Sequence, residues 1–230
     1  MHITLTGNLG SGKSTLSKFF EKEYGYEIYS TGKVIRELAE ERGITVLEMN
    51  KLMSEDSKYD HMIDDRSAQI SRDRQADNIF FDSRLAWHFV GKAFRVFLSV
   101  SLDTAVQRIM GDNRGNVETY ASAEECKASL KARVAEEEKR YKEIYDIDYF
   151  NYTNYNLVLD STICTPDVLS KILYDEAVDY YKAMEEGRDY TRLIISKERG
   201  LADFEKEAAA SKAELKNLHG HEFYVITLTK

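Results

Sequence analysis

Proline is almost missing from this chain, and cysteine is scarce. Pro166 is the only proline in 230 residues. With it goes any low-complexity linker, and no internal repeat stands out. The two cysteines, Cys126 and Cys164, are far apart, with no CxxC pair and no Cys/His spacing suited to zinc. Neither a disulfide framework nor a zinc site is implied, and reduced cysteines of a cytoplasmic protein are expected. No apolar run reaches membrane-spanning length, and the first residues enter a strand directly, so neither an anchor nor a signal peptide is expected. An excess of basic charge is absent too. Lys and Arg number 32 against 40 Asp and Glu, for a formal charge of −8 and a pI near 5.3. Nucleic acid and anionic membrane are therefore poor main partners, although arginines can still cluster in one pocket.

What is present describes an ordinary globular protein, 43% hydrophobic and 31% charged, long enough for one α/β domain and some extra. Its most informative stretch is Gly7-Asn8-Leu9-Gly10-Ser11-Gly12-Lys13-Ser14, followed by Thr15. The stretch fits G-x-x-x-x-G-K-[ST] at every fixed position. His2 to Thr6 alternates as a buried strand does, and Leu16, Phe19 and Phe20 repeat at helical spacing up to Gly25. Glycines let the backbone curl until several N–H groups face one anion. A helix opening at Lys13 adds its positive end, and the lysine adds a mobile charge. The Ser14 hydroxyl suits a Mg²⁺ bridging two phosphates. The chain is expected to bind a nucleoside triphosphate.

Further along, Tyr26 to Tyr29 reads as a second strand, and a helix opening near Ser30-Thr31-Gly32 ends near Gly43. Thr45-Val46-Leu47-Glu48 is a capping box that opens a helix carrying Leu47, Met49 and Leu52. A third helix runs from about residue 58 to 74, so residues 33–75 form a helical insertion between strands. Strands follow at Asn78–Asp82 and Phe94–Val100. Asp103 is expected to cap a helix through Met110, and Gly111 to Asn116 to form a mobile loop. A long charged helix covers residues 122–145, a strand Asn156–Asp160, and a helix opened by Pro166 reaches about Glu185. Alternating strands and helices imply a parallel sheet covered on both faces, with ligands at the carboxyl ends of its strands. Beyond residue 185, Leu193-Ile194-Ile195 reads as a short strand, residues 198–218 as an amphipathic helix, and Phe223–Thr229 as a terminal strand, an edge strand or a subunit contact at most.

Several pieces together carry a resemblance. They are residues 7–15; Tyr29-Ser30-Thr31-Gly32 with Arg36; Ile63-Asp64-Asp65-Arg66; Ser83-Arg84-Leu85-Ala86-Trp87; and Arg140-Tyr141-Lys142-Glu143-Ile144-Tyr145. In order and spacing they resemble the nucleoside monophosphate kinases, most closely the archaeal-type cytidylate kinases, over roughly residues 1–180. The resemblance implies a P-loop three-layer sandwich around a parallel sheet in a kinase domain at 1–185. Within it, 33–75 is a helical lobe that binds the monophosphate and 111–140 is a lid. Residues 186–230 are an extension of no assigned role.

It also implies transfer of the γ-phosphoryl of ATP, with Mg²⁺, to a pyrimidine monophosphate, CMP or dCMP foremost. The site is then a set of cations around two phosphate chains. By resemblance Lys13, Arg84, Arg133 and Arg140 are catalytic; Gly7 to Thr15 and Arg108 hold ATP; and Thr31, Gly32, Arg36, Asp64, Arg66 and Arg84 hold the acceptor. Ser14 touches Mg²⁺, and Asp82 reaches it through water. Each has a plainer alternative. Arg133 and Arg140, two turns apart on one helix face, suit i,i+4 ion pairs, and Asp64 and Arg66 suit a pair with each other. Asp160-Ser161-Thr162 is expected beside the adenine. Two positions depart from the family: Leu85 stands where the bacterial branch has the Asp that reads cytosine, as it does in the archaeal branch, and Ser83 replaces a glycine. Small nucleotides are the expected partners, with a monomer or a homodimer. A P-loop kinase for another small acceptor and a non-catalytic ATP-binding regulator are the alternatives.

Overall fold

The computed structural model describes residues 1–45, 48–49, 52, 58–111 and 120–228. The chain divides into two compact units. One holds Met1–Thr6, Lys13–Val96 and Pro166–Asp189; the other holds Gly7–Gly12, Phe97–Thr165 and Tyr190–Lys230.

In the first unit, strand β1 (His2–Gly7) leads to helix α1 (Lys13–Tyr24) and strand β2 (Glu27–Ser30). Helices α2 (Thr31–Glu41) and α3 (Lys58–Asp73) precede strand β3 (Ile79–Asp82) and the short α4 (Ala86–Phe89). The strands run β2-β3-β1 and pair in parallel. Their register sets Ser30 opposite Asp82, and Asp82 opposite Leu5, so the carboxyl ends are level. Ser30 caps α2 by accepting from the Lys33 N–H at 3.2 Å. That fixes where the strand stops and the helix starts.

The Thr45–Glu48 capping box is reciprocal. Glu48 accepts from the Thr45 N–H at 2.8 Å, and Thr45 Oγ1 accepts from the Glu48 N–H at 3.2 Å. Val46 and Leu47 lie outside the described residues, while Met49 and Leu52 join the core formed by Tyr29, Val34, Leu38, Ile63, Ile79 and Phe81. The last helix of this unit covers Pro166–Glu185 and packs on α1, with the rings of Tyr24 and Tyr174 stacked at 4.1 Å.

The second unit receives β4 (Phe94–Ser99) from Phe97 onward, then α5 (Leu102–Gly111), α6 (Ala123–Tyr145) and β5 (Leu157–Asp160). Residue for residue, Phe97 and Leu98 are fully buried, as a strand covered on both faces requires. The cap of α5 is Ser101, whose Oγ accepts from the Thr104 N–H at 3.3 Å. Asp103, expected to cap, instead sits inside the first turn, because the helix already begins at Leu102. Most of the expected loop, residues 112–116, lies outside the described residues.

After α7, the Pro166–Glu185 helix already described, come β6 (Arg192–Ser196), α8 (Glu205–Ala210), β7 (Ala213–Leu218) and β8 (His221–Thr227). The order in this unit is β4-β5-β6-β8-β7. β6 runs parallel to β5, whereas β8 and β7 are antiparallel additions.

The helix expected over residues 198–218 does not form. A 3-10 turn at Ala202–Phe204 leads into a short α-helix at Glu205–Ala210, and Ala213–Leu218 is a strand. The reason lies in the turn after it. His219 and Gly220 take φ of 50° and 88°, the pair of left-handed conformations that matches the twist of a two-residue hairpin. β8 is interior, between β6 and β7, so β7 is the edge strand and not the terminal one. Thr229 lies outside the described residues.

Candidate active site

The loop Gly7–Gly12 belongs to the second unit and is gripped there from outside. The Asn8 N–H donates to Leu98 O at 3.1 Å, and Asn8 Oδ1 accepts from the Val100 N–H at 3.1 Å. A Cβ on Gly7 would stand 2.1 Å from Leu98 O, and one on Gly10 2.9 Å from Ala105 O, so both glycines are required by close approach. Ser161 Oγ donates to Ser11 O at 2.9 Å. Arg108 donates to Ser161 O at 2.6 Å and, more weakly, to Gly10 O and Ser11 O at 3.4 Å each.

These donors fix the direction of the loop. A trans peptide sets its C=O and N–H on opposite sides, so a Ser11 carbonyl held by Ser161 and Arg108 turns the Gly12 N–H the other way. Gly12, at φ +91°, has nothing within 4 Å of its Cβ position, so the loop is uncrowded there. Ser11 Oγ is buried and has no hydrogen-bond partner among the described residues. An uncrowded glycine flanked by an unsatisfied buried hydroxyl is what an anion-binding loop presents. Arg108, expected at ATP, is seen gripping the loop's carbonyls.

The first unit carries the other half of the motif. α1 opens at Lys13 with no acidic residue in its first turn, which leaves its positive end, Ser14 and Thr15 for an anion. Asp82 ends β3 and accepts from Ser17 Oγ at 3.2 Å. Burial raises its carboxyl above the ordinary value, while Lys13, the Ser17 hydroxyl and Arg84 pull it back in part. Arg84 is held by its backbone, whose carbonyl accepts from Thr6 Oγ1 at 3.1 Å. Thr31 and Gly32 form the first turn of α2, and the Arg36 guanidinium folds back over Gly32, with Nη1 3.5 Å from its Cβ position. Asp64 is buried on α3. Arg66 pairs with Glu41 of α2 at 2.5 Å. In the second unit, Arg133 is half-buried and Arg140 exposed along α6.

Leu85 is buried, 5% exposed, so the departure at that position is a core contact. Asp160 is fully buried and bonded to Arg199, Ser196 and Thr162, which makes its side chain structural. Ser17 and Arg199 escaped the sequence reading. Ser17 follows Lys13 by four residues, a helical spacing that signals a shared face; Arg199 carries no such signal.

Among the described residues, no group of three or more His, Cys, Asp or Glu is placed to hold a metal ion. A Mg²⁺ bound chiefly through phosphates and water needs only one or two side chains, and Ser14 and Asp82 fit that demand. No helix among the described residues is long and apolar enough to cross a membrane.

The cytidylate kinase-like family matches residues 2–163. This chain belongs to that family. Similar relatives are the cytidylate kinase of Methanocella arvoryzae, 35% identical over 79% of this chain and 99% of its own length, and that of Natronomonas pharaonis, 34% identical over 79% and 91%. Among solved structures, shikimate kinase from Bacteroides thetaiotaomicron aligns at TM-score 0.51 and 17% identity, covering 76% of this chain and 97% of its own. An uncharacterized protein from Eubacterium ventriosum aligns at 0.56 and 12%, covering 77% and 98%. These two likenesses speak to the α/β fold alone. The family match ends at residue 163, so α7, β6, α8, β7 and β8 all lie beyond it.

Proposed function

We propose that this chain transfers the γ-phosphoryl of ATP to CMP or dCMP. The observation that carries the reading is the loop Gly7–Lys13, whose carbonyls are held by the protein's own donors while the Gly12 Cβ position is uncrowded and the buried Ser11 hydroxyl has no partner among the described residues. The relatives named cytidylate kinase support the acceptor.

In this reading Gly7 to Thr15 hold the phosphates of ATP and Lys13 neutralises charge on the transferring group. Arg108 keeps the loop's carbonyls turned away from the nucleotide. Residues 33–75 hold the acceptor: Arg36 and Arg84 take its phosphate in bidentate forks, Thr31, Gly32 and Asp64 line its seat, and Arg66 braces α3 against α2. Residues 111–140 close over the reaction, with Arg133 and Arg140 supplying further cations. Ser14 would hold Mg²⁺ directly and Asp82 through water, and the ion would supply charge neutralisation between the phosphates. With Leu85 in the core, the base is read by other groups. The kinase domain spans residues 1–185, and the protein works in the cytoplasm as a monomer or homodimer.

A coupled ADP-release assay with Mg-ATP against CMP, dCMP, UMP, AMP and GMP tests this. Turnover with CMP well above the others is expected. Measurable ATP binding with no turnover on any of the five would replace the reading with another acceptor or an ATP-binding regulator. Within the acceptor seat, Arg84→Ala should raise the KM for CMP about tenfold and leave ATP affinity alone.

A further inference from the structure

Arg199 lies in the segment beyond the family match, on the short stretch that follows β6, and its side chain is 9% exposed. Its guanidinium reaches two strand ends at once. Nη1 donates to Ser99 Oγ at the end of β4 at 2.8 Å, and to Asp160 Oδ1 at the end of β5 at 2.7 Å. Nη2 donates to Asp203 at 3.0 Å, and the Phe204 ring stacks 4.9 Å from the guanidinium carbon. Asp160 is also tied to Ser196, through its N–H and hydroxyl, and to the Thr162 N–H and hydroxyl.

In each strand the residue after the one that Arg199 holds touches the phosphate loop. After Ser99 comes Val100, whose N–H donates to Asn8 Oδ1. After Asp160 comes Ser161, whose hydroxyl donates to Ser11 O and whose carbonyl accepts the shortest bond of Arg108. Ser161 in turn bonds Ser99 O through its N–H at 2.8 Å, closing the circuit between the strands.

We infer that Arg199 is a positioning residue for ATP binding: by pinning Ser99 and Asp160 together it holds Asn8 and Ser11 of the loop in their phosphate-binding conformation. The C-terminal segment thereby supplies part of the nucleotide site from beyond the family match. Rotation of Ser161 would release the Ser11 carbonyl and Arg108 together, and the Gly12 N–H would lose its fixed direction. This rests on the reading of the loop as the ATP site.

The test compares Mg-ATP and CMP binding by calorimetry in wild type, Arg199→Ala and Arg199→Lys, with amide exchange followed in the peptides covering residues 7–16 and 58–73. Arg199→Ala should weaken ATP binding about fivefold to tenfold. CMP affinity and exchange in 58–73 should stay put, exchange in 7–16 should rise, and Arg199→Lys should recover part of the ATP affinity. ATP affinity equal to wild type in Arg199→Ala overturns the inference, and so does an equal loss for ATP and CMP, which marks a general effect on folding. If Arg199→Ala does not fold, the double variant Asp160→Asn, Arg199→Gln removes both charges together, and unchanged ATP affinity there overturns it as well. A wild type that binds no ATP would instead break the reading of the loop itself.

Discussion

Two parallel strands of this protein end in an aspartate, and the two acids have opposite fates. Asp160, at the end of β5, is fully buried and surrounded by donors: Arg199, the Ser196 N–H and hydroxyl, and the Thr162 N–H and hydroxyl. Asp82, at the end of β3, accepts from the Ser17 hydroxyl and lies in the fields of Lys13 and Arg84. A strand-end acid close to a phosphate loop is ambiguous by itself. Its partners decide whether it holds the fold together or keeps a charge available for chemistry. In Asp82 burial outweighs the nearby cations, which is the signature of a group kept where it is not most stable.

The comparison can be broken in four ways. The largest effect is expected at the cation facing Asp82. Lys13→Ala should cut turnover roughly a hundredfold to a thousandfold with a normal melting curve, and retained turnover would remove the chemistry assigned to that end of the loop. Next comes Asp160→Asn, which leaves the buried Arg199 with only the exposed Asp203 as counter-charge. It should cost about 3 kcal/mol in urea unfolding, and a loss below about 1 kcal/mol would show that the pair is not structural.

Asp82→Asn should do the reverse. Turnover with Mg-ATP and CMP should fall about tenfold, while thermal unfolding at neutral pH shows stability equal to or slightly above wild type. Destabilisation like that of Asp160→Asn would make the two acids equivalent after all. The smallest effect is a pH dependence of that gain. A carboxyl whose folded pKa is raised costs stability once both states are ionised, and the cost disappears below the ordinary carboxylate value, where both are protonated. The advantage of Asp82→Asn over wild type should therefore shrink to nothing as pH falls through that range. An advantage that grows on acidification would mean a lowered pKa, against the burial seen here.

Much of this was legible in sequence because it is local. The phosphate loop, the Ser30 and Ser122 helix starts, the Thr45–Glu48 box and the run of strands depend on residues within a few positions of one another. The Asp103 expectation failed narrowly: Ser101 lies two residues earlier and its hydroxyl reaches the Thr104 N–H first. The C-terminal helix failed more broadly. The alanines of 208–210 close a helix of only six residues, and Glu214 and Lys216 then lie along an exposed strand that pairs with β8. The His219-Gly220 pair was the available signal, since a two-residue turn with glycine second marks a hairpin.

By itself, then, the sequence determined that a strand, a glycine-rich turn and a helix would present Lys13 and Ser14 to a phosphate, because backbone geometry over eight residues demands it. Tertiary structure alone decided which acid is structural, which way Leu85 points, and that Arg199 serves the loop. The fate of Asp160 and the place of Arg199 depend on contacts between residues 39 and 100 positions apart. Such contacts form only after the strands are in register, and no local pattern records them.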